Sequence, residues 1–133
     1  MALVTPASDV SVDGSTAQFA PQITGLLAGE DLLAAAPCYI KTSDGKVYMS
    51  NGTAANEAAE VVGFTPRAAK SGQAITLFGK GTRFKYGSAL TIGDKLYIAA
   101  TAGRLDTAAT TGDALGVAQV ITATDIRVIR DSF

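Results

Sequence analysis

From Cys38 onward the chain is a succession of short apolar runs separated by glycine-bearing polar turns. One arrangement of these runs occurs twice. In the first copy Pro37-Cys38-Tyr39-Ile40 leads through Lys41-Thr42-Ser43-Asp44 to Gly45-Lys46-Val47, and later to Val62-Gly63-Phe64. In the second, Gly93-Asp94-Lys95-Leu96-Tyr97-Ile98 leads through Ala99-Ala100-Thr101-Ala102 to Gly103-Arg104-Leu105, and later to Leu115-Gly116-Val117. Each copy reads Tyr-Ile, a four-residue spacer, Gly, a basic residue and an aliphatic residue. An apolar pair, a turn and a second apolar run predict a β-hairpin. Two such units predict a small barrel with internal pseudo-symmetry.

The same pattern predicts strands at 38–42, 46–50, 60–66, 73–78, 82–86, 96–100, 114–121 and 124–129. In the last of these, Ile126 and Val128 share one face, and Arg127 and Ile129 the other. A single helical turn capped by Thr53 is expected within 53–59. Residues 25–36 contain helix formers, but Gly29 interrupts them and Pro37 ends them, so a loop with at most one helical turn is expected. The fold class is therefore mostly β, with little helix. The expected core comprises Tyr39, Val62, Ile75, Phe84, Tyr97 and Val117.

Residues 1–22 differ from the rest. They carry Pro6 and Pro21, no Lys or Arg, and scattered apolar residues among Ser, Thr, Asp and Gln. Val10 and Val12 alternate with polar neighbours as a strand does. Composition fits equally an extended N-terminal arm at 1–22, ordered by adding a strand to a partner, and a disordered tail; the arm is the expectation carried forward, ahead of a single β-rich domain at 23–133.

Composition narrows the function. The 133 residues suffice for one domain with a core of its own. Charged residues make up only 17% and the net charge is −1, so self-repulsion is weak and self-association is expected. No basic excess exists to neutralise phosphates, and nucleic acid is not an expected partner. No segment has the ~20 apolar residues that span a bilayer, and a membrane is not expected either. The opening Met1-Ala2-Leu3-Val4-Thr5-Pro6 has neither a charged nor an apolar leader region, so cytoplasmic synthesis is expected. The single Cys38 cannot close an internal disulfide and reads as a small buried hydrophobe.

Candidate chemistry is thin. There is no histidine, which removes the commonest general base and most zinc sites. Glu30-Asp31 is the only adjacent acidic pair. Asp44-Gly45 and Asp94 fit turn-making better than metal binding. Gly79-Lys80-Gly81-Thr82 lacks the spacing of a phosphate loop and precedes a strand rather than a helix, so it reads as a tight hairpin. Arg83-Phe84-Lys85-Tyr86 alternates basic and aromatic residues, as a nucleic-acid-binding strand does and as any strand with one buried face does. Tyr48 near Asn51 could serve a glycan, but reads first as a cross-strand core tyrosine. No enzyme activity, cofactor or metal is expected.

Beside these residue readings stands a likeness. Pro37 before a short strand, Thr42-Ser43, Lys46-Val47, Asn51-Gly52-Thr53, Val62-Gly63, Ile75-Thr76-Leu77-Phe78, Lys80-Gly81 and Thr82 to Tyr86 follow one another in order. In this order and spacing the run resembles the head decoration (capsid-stabilising) proteins of lambda-type tailed bacteriophages. The later run, Leu90 to Tyr97 and on through Gly116-Val117-Ala118, is similar to the broader group of phage capsid cement proteins. The resemblance covers about residues 25–130. It implies a β-clip or β-tulip-like barrel and a homotrimer over the three-fold and quasi-three-fold sites of an expanded head. It also implies an arm on the major capsid protein, and stabilisation of the virion's outer surface against packaged DNA. The arm matches no motif of these proteins, so its contacts, Leu3, Val4, Val10, Val12 and Phe19, are placed by position. The rival expectation is a host-surface, glycan-binding module of a phage tail or capsid.

Overall fold

The computed structural model describes residues 22–131. Ten short strands and one 3-10 turn make up its regular structure. The strands are β1 (Gln22–Leu27), β2 (Pro37–Ile40), β3 (Val47–Met49), β4 (Gly63–Phe64) and β5 (Ala74–Phe78), then β6 (Arg83–Lys85), β7 (Lys95–Ile98), β8 (Leu105–Asp106), β9 (Ala118–Val120) and β10 (Asp125–Val128). They form two five-stranded sheets, ordered β1-β5-β4-β2-β3 and β6-β10-β9-β7-β8. Adding five to every label of the first order yields the second. All these pairings are antiparallel, so the chain lays down one topology twice.

The twice-stated motif is the centre of each half. Tyr39 and Ile40 pair with Tyr48 and Val47; Tyr97 and Ile98 pair with Asp106 and Leu105 in the same register. Gly45 and Gly103 occupy the same place in the two turns, at φ 70° and 78°, a left-handed geometry that side chains resist. Equivalent hydrogen bonds close both turns, from Lys41 N to the Lys46 carbonyl and from Ala99 N to the Arg104 carbonyl. One detail of the sequence match is corrected. Cys38 pairs with Gly63 and Leu96 with Ala118, so Val62-Gly63-Phe64 corresponds to Val117-Ala118-Gln119 rather than to Leu115-Gly116-Val117. The likeness of Val62-Gly63 to Leu115-Gly116 is local; Gly116 serves a left-handed bend at φ 87° just before its strand.

Several expected elements shift. The strand expected at 60–66 shrinks to β4, and the one at 114–121 to β9. The helical turn is a 3-10 turn at Glu57–Ala59, and its cap is Asn56, whose side chain accepts from Ala58 N, not Thr53. The start of the expected loop at 25–36 is strand: β1 begins at Gln22, inside the expected arm. Its register slips by one residue between Ile23 and Leu26, and Gly25, at φ 78°, absorbs the extra residue as a bulge. Ala28, just past β1, makes an isolated parallel bridge to Val47 of β3, so the ends of the first sheet touch at that point; the two repeat units form two sheets rather than sharing one barrel. Gly79-Lys80-Gly81-Thr82 makes a tight turn, from Thr82 N to the Gly79 carbonyl, but it is not a hairpin. It carries the chain from the first sheet to the second.

Alternation along the strands builds three apolar clusters. One fills the first half around Cys38, Val47, Val62, Ile75 and Leu77. One fills the second half around Leu96, Ala118, Val120 and Ile126. The third joins the halves: Val61 and Phe64 pack with Ile98, Val117 and Val128. Each fully buried Phe64, Leu77, Ile98 or Ile126 contributes about 1.5–3 kcal/mol by leaving water. Backbone bonds reinforce the seam, from Gly52 N to the Ala99 carbonyl at 2.8 Å and from Gly103 N to the Ser50 carbonyl at 3.0 Å. A Cβ on Gly52 would collide with the Ile98 carbonyl, so the close approach of the halves requires glycine there.

Candidate interaction surface

Among the described residues, no group of three His, Cys, Asp or Glu side chains comes together to hold a metal ion. The residues singled out for chemistry have structural partners. Glu30 accepts from Met49 N at 2.9 Å and Asp31 from Ser71 N at 3.0 Å, so the acidic pair is divided between two backbone contacts. The Cys38 thiol is buried, and burial, with the nearby Glu30 charge, pushes its pKa far above the ordinary thiol value. Tyr48 donates its hydroxyl to Asp44 Oδ2 at 2.7 Å, and the Lys41 ammonium lies 4.9 Å from its ring centre. That hydrogen bond lowers the Asp44 pKa and raises the Tyr48 pKa. Asn51 accepts from the Thr53 N–H and hydroxyl through its side-chain oxygen.

The expected core residues divide. Tyr39, Val62, Ile75 and Val117 are buried. Phe84 and Tyr97 are only half-buried, which corrects their assignment. Tyr97 lies between Leu96 and Ile98, both buried, and alternation turns it to the other face of β7. Phe84 lies on β6, an end strand of the second sheet. Its ring sits 5.6 Å from that of Phe64 and 6.4 Å from that of Tyr86. The arm residues Leu3, Val4, Val10, Val12 and Phe19 lie outside the described residues.

The surface that stands out was not expected from the sequence. Phe64, Phe78 and Phe84 line a groove of about 380 Å³, walled on one side by Ala34, Ala35 and Pro66. That wall is held under strain. Ala35 adopts φ 51°, a left-handed conformation that costs a non-glycine residue roughly 1–2 kcal/mol. Thr65 pins it: its carbonyl accepts from Ala35 N, and its hydroxyl accepts from Ala36 N and donates to the Leu33 carbonyl. Thr82 also lines the groove, and its buried hydroxyl is the one buried side-chain polar atom without a hydrogen-bond partner among the described residues. Gln22 pairs with Phe78, so β1 enters the sheet beside this groove. Along Gln22–Leu27 β1 pairs only with β5, the bridge to β3 falling past its end at Ala28, and its Ile23 and Leu27 are 38% and 46% exposed, with Leu33 nearby in sequence at 45%. An end strand with exposed apolar side chains, next to an apolar groove, can take up another strand and anchor its side chains. The chain matches no protein-family model, and no curated protein is significantly similar to it in sequence.

Proposed function

We propose that this protein is a structural decoration (cement) protein of a tailed-phage head. It binds the outer surface of the expanded shell and stabilises it against the pressure of packaged DNA. The observation that carries the reading is β1. This end strand exposes Ile23 and Leu27 where residues 1–21 join the body, beside the groove of Phe64, Phe78 and Phe84. The order of motifs from Pro37 to Tyr86 supports the same reading. The task needs no reaction. It needs a rigid body and an apolar edge that pairs with another chain, the ordering cost being offset by strand hydrogen bonds and apolar anchors. In this reading the partner is the major capsid protein. Leu3, Val4, Val10, Val12 and Phe19 supply arm contacts, and a homotrimer sets several arms on one shell, which slows dissociation. The test is deletion of residues 1–21. The truncated protein is expected to keep its thermal stability and to lose binding to expanded heads. Unfolding of the truncated protein, or binding as tight as that of the full chain, overturns the arm's role.

A further inference from the structure

The repeated topology supplies an internal comparison. Strand register sets Arg83, Arg127, Gln119 and Lys95 abreast on β6, β10, β9 and β7. The corresponding row of the first half is Gln22, Phe78, Phe64 and Pro37 on β1, β5, β4 and β2. One backbone arrangement thus carries three cations in one half and no charge in the other. The fold therefore does not require the cations.

Their placement opposes stability. Directly opposed residues of an antiparallel pair point the same way with Cβ atoms about 4.5–5.5 Å apart, and like charges there repel. Arg83 and Arg127 are such a pair. Arg83 has a counter-charge, Asp125, at 3.0 Å. Arg127 and Lys95 are exposed and make no ion pair with a described residue. Lys85, also exposed, stands opposite Asp125 one row along. This face therefore gathers Arg83, Arg127, Lys95 and Lys85 with two carboxylates, Asp125 beside Arg83 and Asp106 opposite Tyr97, so cations outnumber carboxylates two to one on a chain whose net charge is −1.

We infer that this face of the second sheet is a docking surface for an acidic protein surface, with Arg83, Arg127 and Lys95 meeting partner carboxylates. The row spans three inter-strand steps, about 14 Å. Arg forks donate to carboxylates in bidentate fashion, which suits a flat sheet face. A single-stranded nucleic acid fits less well. Its binding relies on successive aromatic platforms beside the cations; Tyr97, half-buried, is one aromatic on this face, and the aromatics interleaved with Arg83 and Lys85 are turned away. Phe84 packs against the cluster that joins the halves and against that of the second half, and Tyr86 packs against the latter. The inference stands without the decoration reading, since any partner with a carboxylate-rich face satisfies it.

The test uses the full chain and two labelled probes, a polyglutamate peptide and an oligothymidylate of equal charge, read by fluorescence anisotropy. Polyglutamate is expected to bind, and the double variant Arg127→Gln/Lys95→Gln to weaken it by about ten-fold or more. Lys46→Gln/Lys70→Gln, in the first half, is expected to leave it unchanged. A second readout separates docking from a structural role: Arg127→Gln is expected to raise the urea midpoint slightly by relieving the Arg83 repulsion. No binding of polyglutamate, equal loss in both double variants, tighter binding of oligothymidylate, or a lowered urea midpoint in Arg127→Gln each overturns the inference.

Discussion

Replacing Asp113 by Ala tests whether one buried carboxylate closes the second half. Its side chain has no solvent exposure. It accepts from Ile98 N at 2.8 Å, Gly116 N at 2.9 Å and Leu115 N at 3.3 Å, and from Arg130 Nη2 at 2.7 Å. Arg130 Nε also donates to the Gly116 carbonyl, so the pair ties the end of the chain to the bend before β9. Asp113→Ala leaves those backbone donors without their acceptor and a guanidinium, 31% exposed, without its counter-charge. Breaking a buried pair from one side costs about 3–5 kcal/mol, and partial rehydration of Arg130 places the expected loss near 3 kcal/mol. That is a large part of the ~5–15 kcal/mol that holds a domain together. With a urea slope of about 2 kcal/mol/M, the midpoint falls by roughly 1.5 M. Arg130→Ala is expected to cost less, about 1–2 kcal/mol, because Asp113 keeps its backbone donors. The double variant is expected to lose less than the sum of the two. A loss below about 1 kcal/mol for Asp113→Ala, or full additivity, refutes the reasoning.

Other expectations follow from the same contacts. Phe84→Ala is expected to cost about 2 kcal/mol in equilibrium unfolding, roughly half the value of a fully buried Phe, because the ring is half-buried on the groove wall. Cys38 is expected to resist an aromatic disulfide reagent in the folded protein and to react fully in denaturant; fast labelling of the native protein contradicts its burial. Asp44 and Asp125 have depressed pKa values in the folded state, Asp44 mainly through Tyr48 and Asp125 through Thr124 and Arg83. Each therefore stabilises the fold above the ordinary carboxylate pKa of about 4 and loses that contribution as pH falls through its folded value. Thermal melts are expected to fall across that acid range, and the fall to shrink in Asp44→Asn/Asp125→Asn. At the alkaline end, Tyr39 and Tyr48 have raised pKa values, Tyr39 mainly through burial and Tyr48 through Asp44. Their stabilising contribution is present below the ordinary tyrosine pKa of about 10 and is lost as pH rises. Tyrosinate absorbance is expected to appear later in the native protein than in the denatured chain.

The β-rich fold and its repetition were legible because the Tyr-Ile, glycine and aliphatic spacing is set by strand and turn geometry, which is local. Tyr39-Ile40 and Tyr97-Ile98 therefore pair as their spacing implied, and Ile126 and Val128 face inward with Arg127 outward. β1 was hidden because Gly25 breaks its alternation with a bulge and Leu26-Leu27-Ala28 reads as helix. The full match of the two halves was hidden too. It resides in strand order, and the short strands β4 and β8 carry almost no periodicity of their own. The groove joins residues from 34 to 85, and the Asp113–Arg130 pair spans 17 positions, so neither leaves a local signal. The basic row was half visible as Arg83-Phe84-Lys85-Tyr86, but Arg127 and Lys95 join it only through register.

The most direct test of the decoration reading is cryo-electron microscopy of expanded heads of the cognate phage, prepared without this protein and then incubated with it in excess. The reading expects added density on the outer surface at three-fold and quasi-three-fold sites, absent when the protein lacks residues 1–21. Shells that remain bare in the presence of the full chain contradict it.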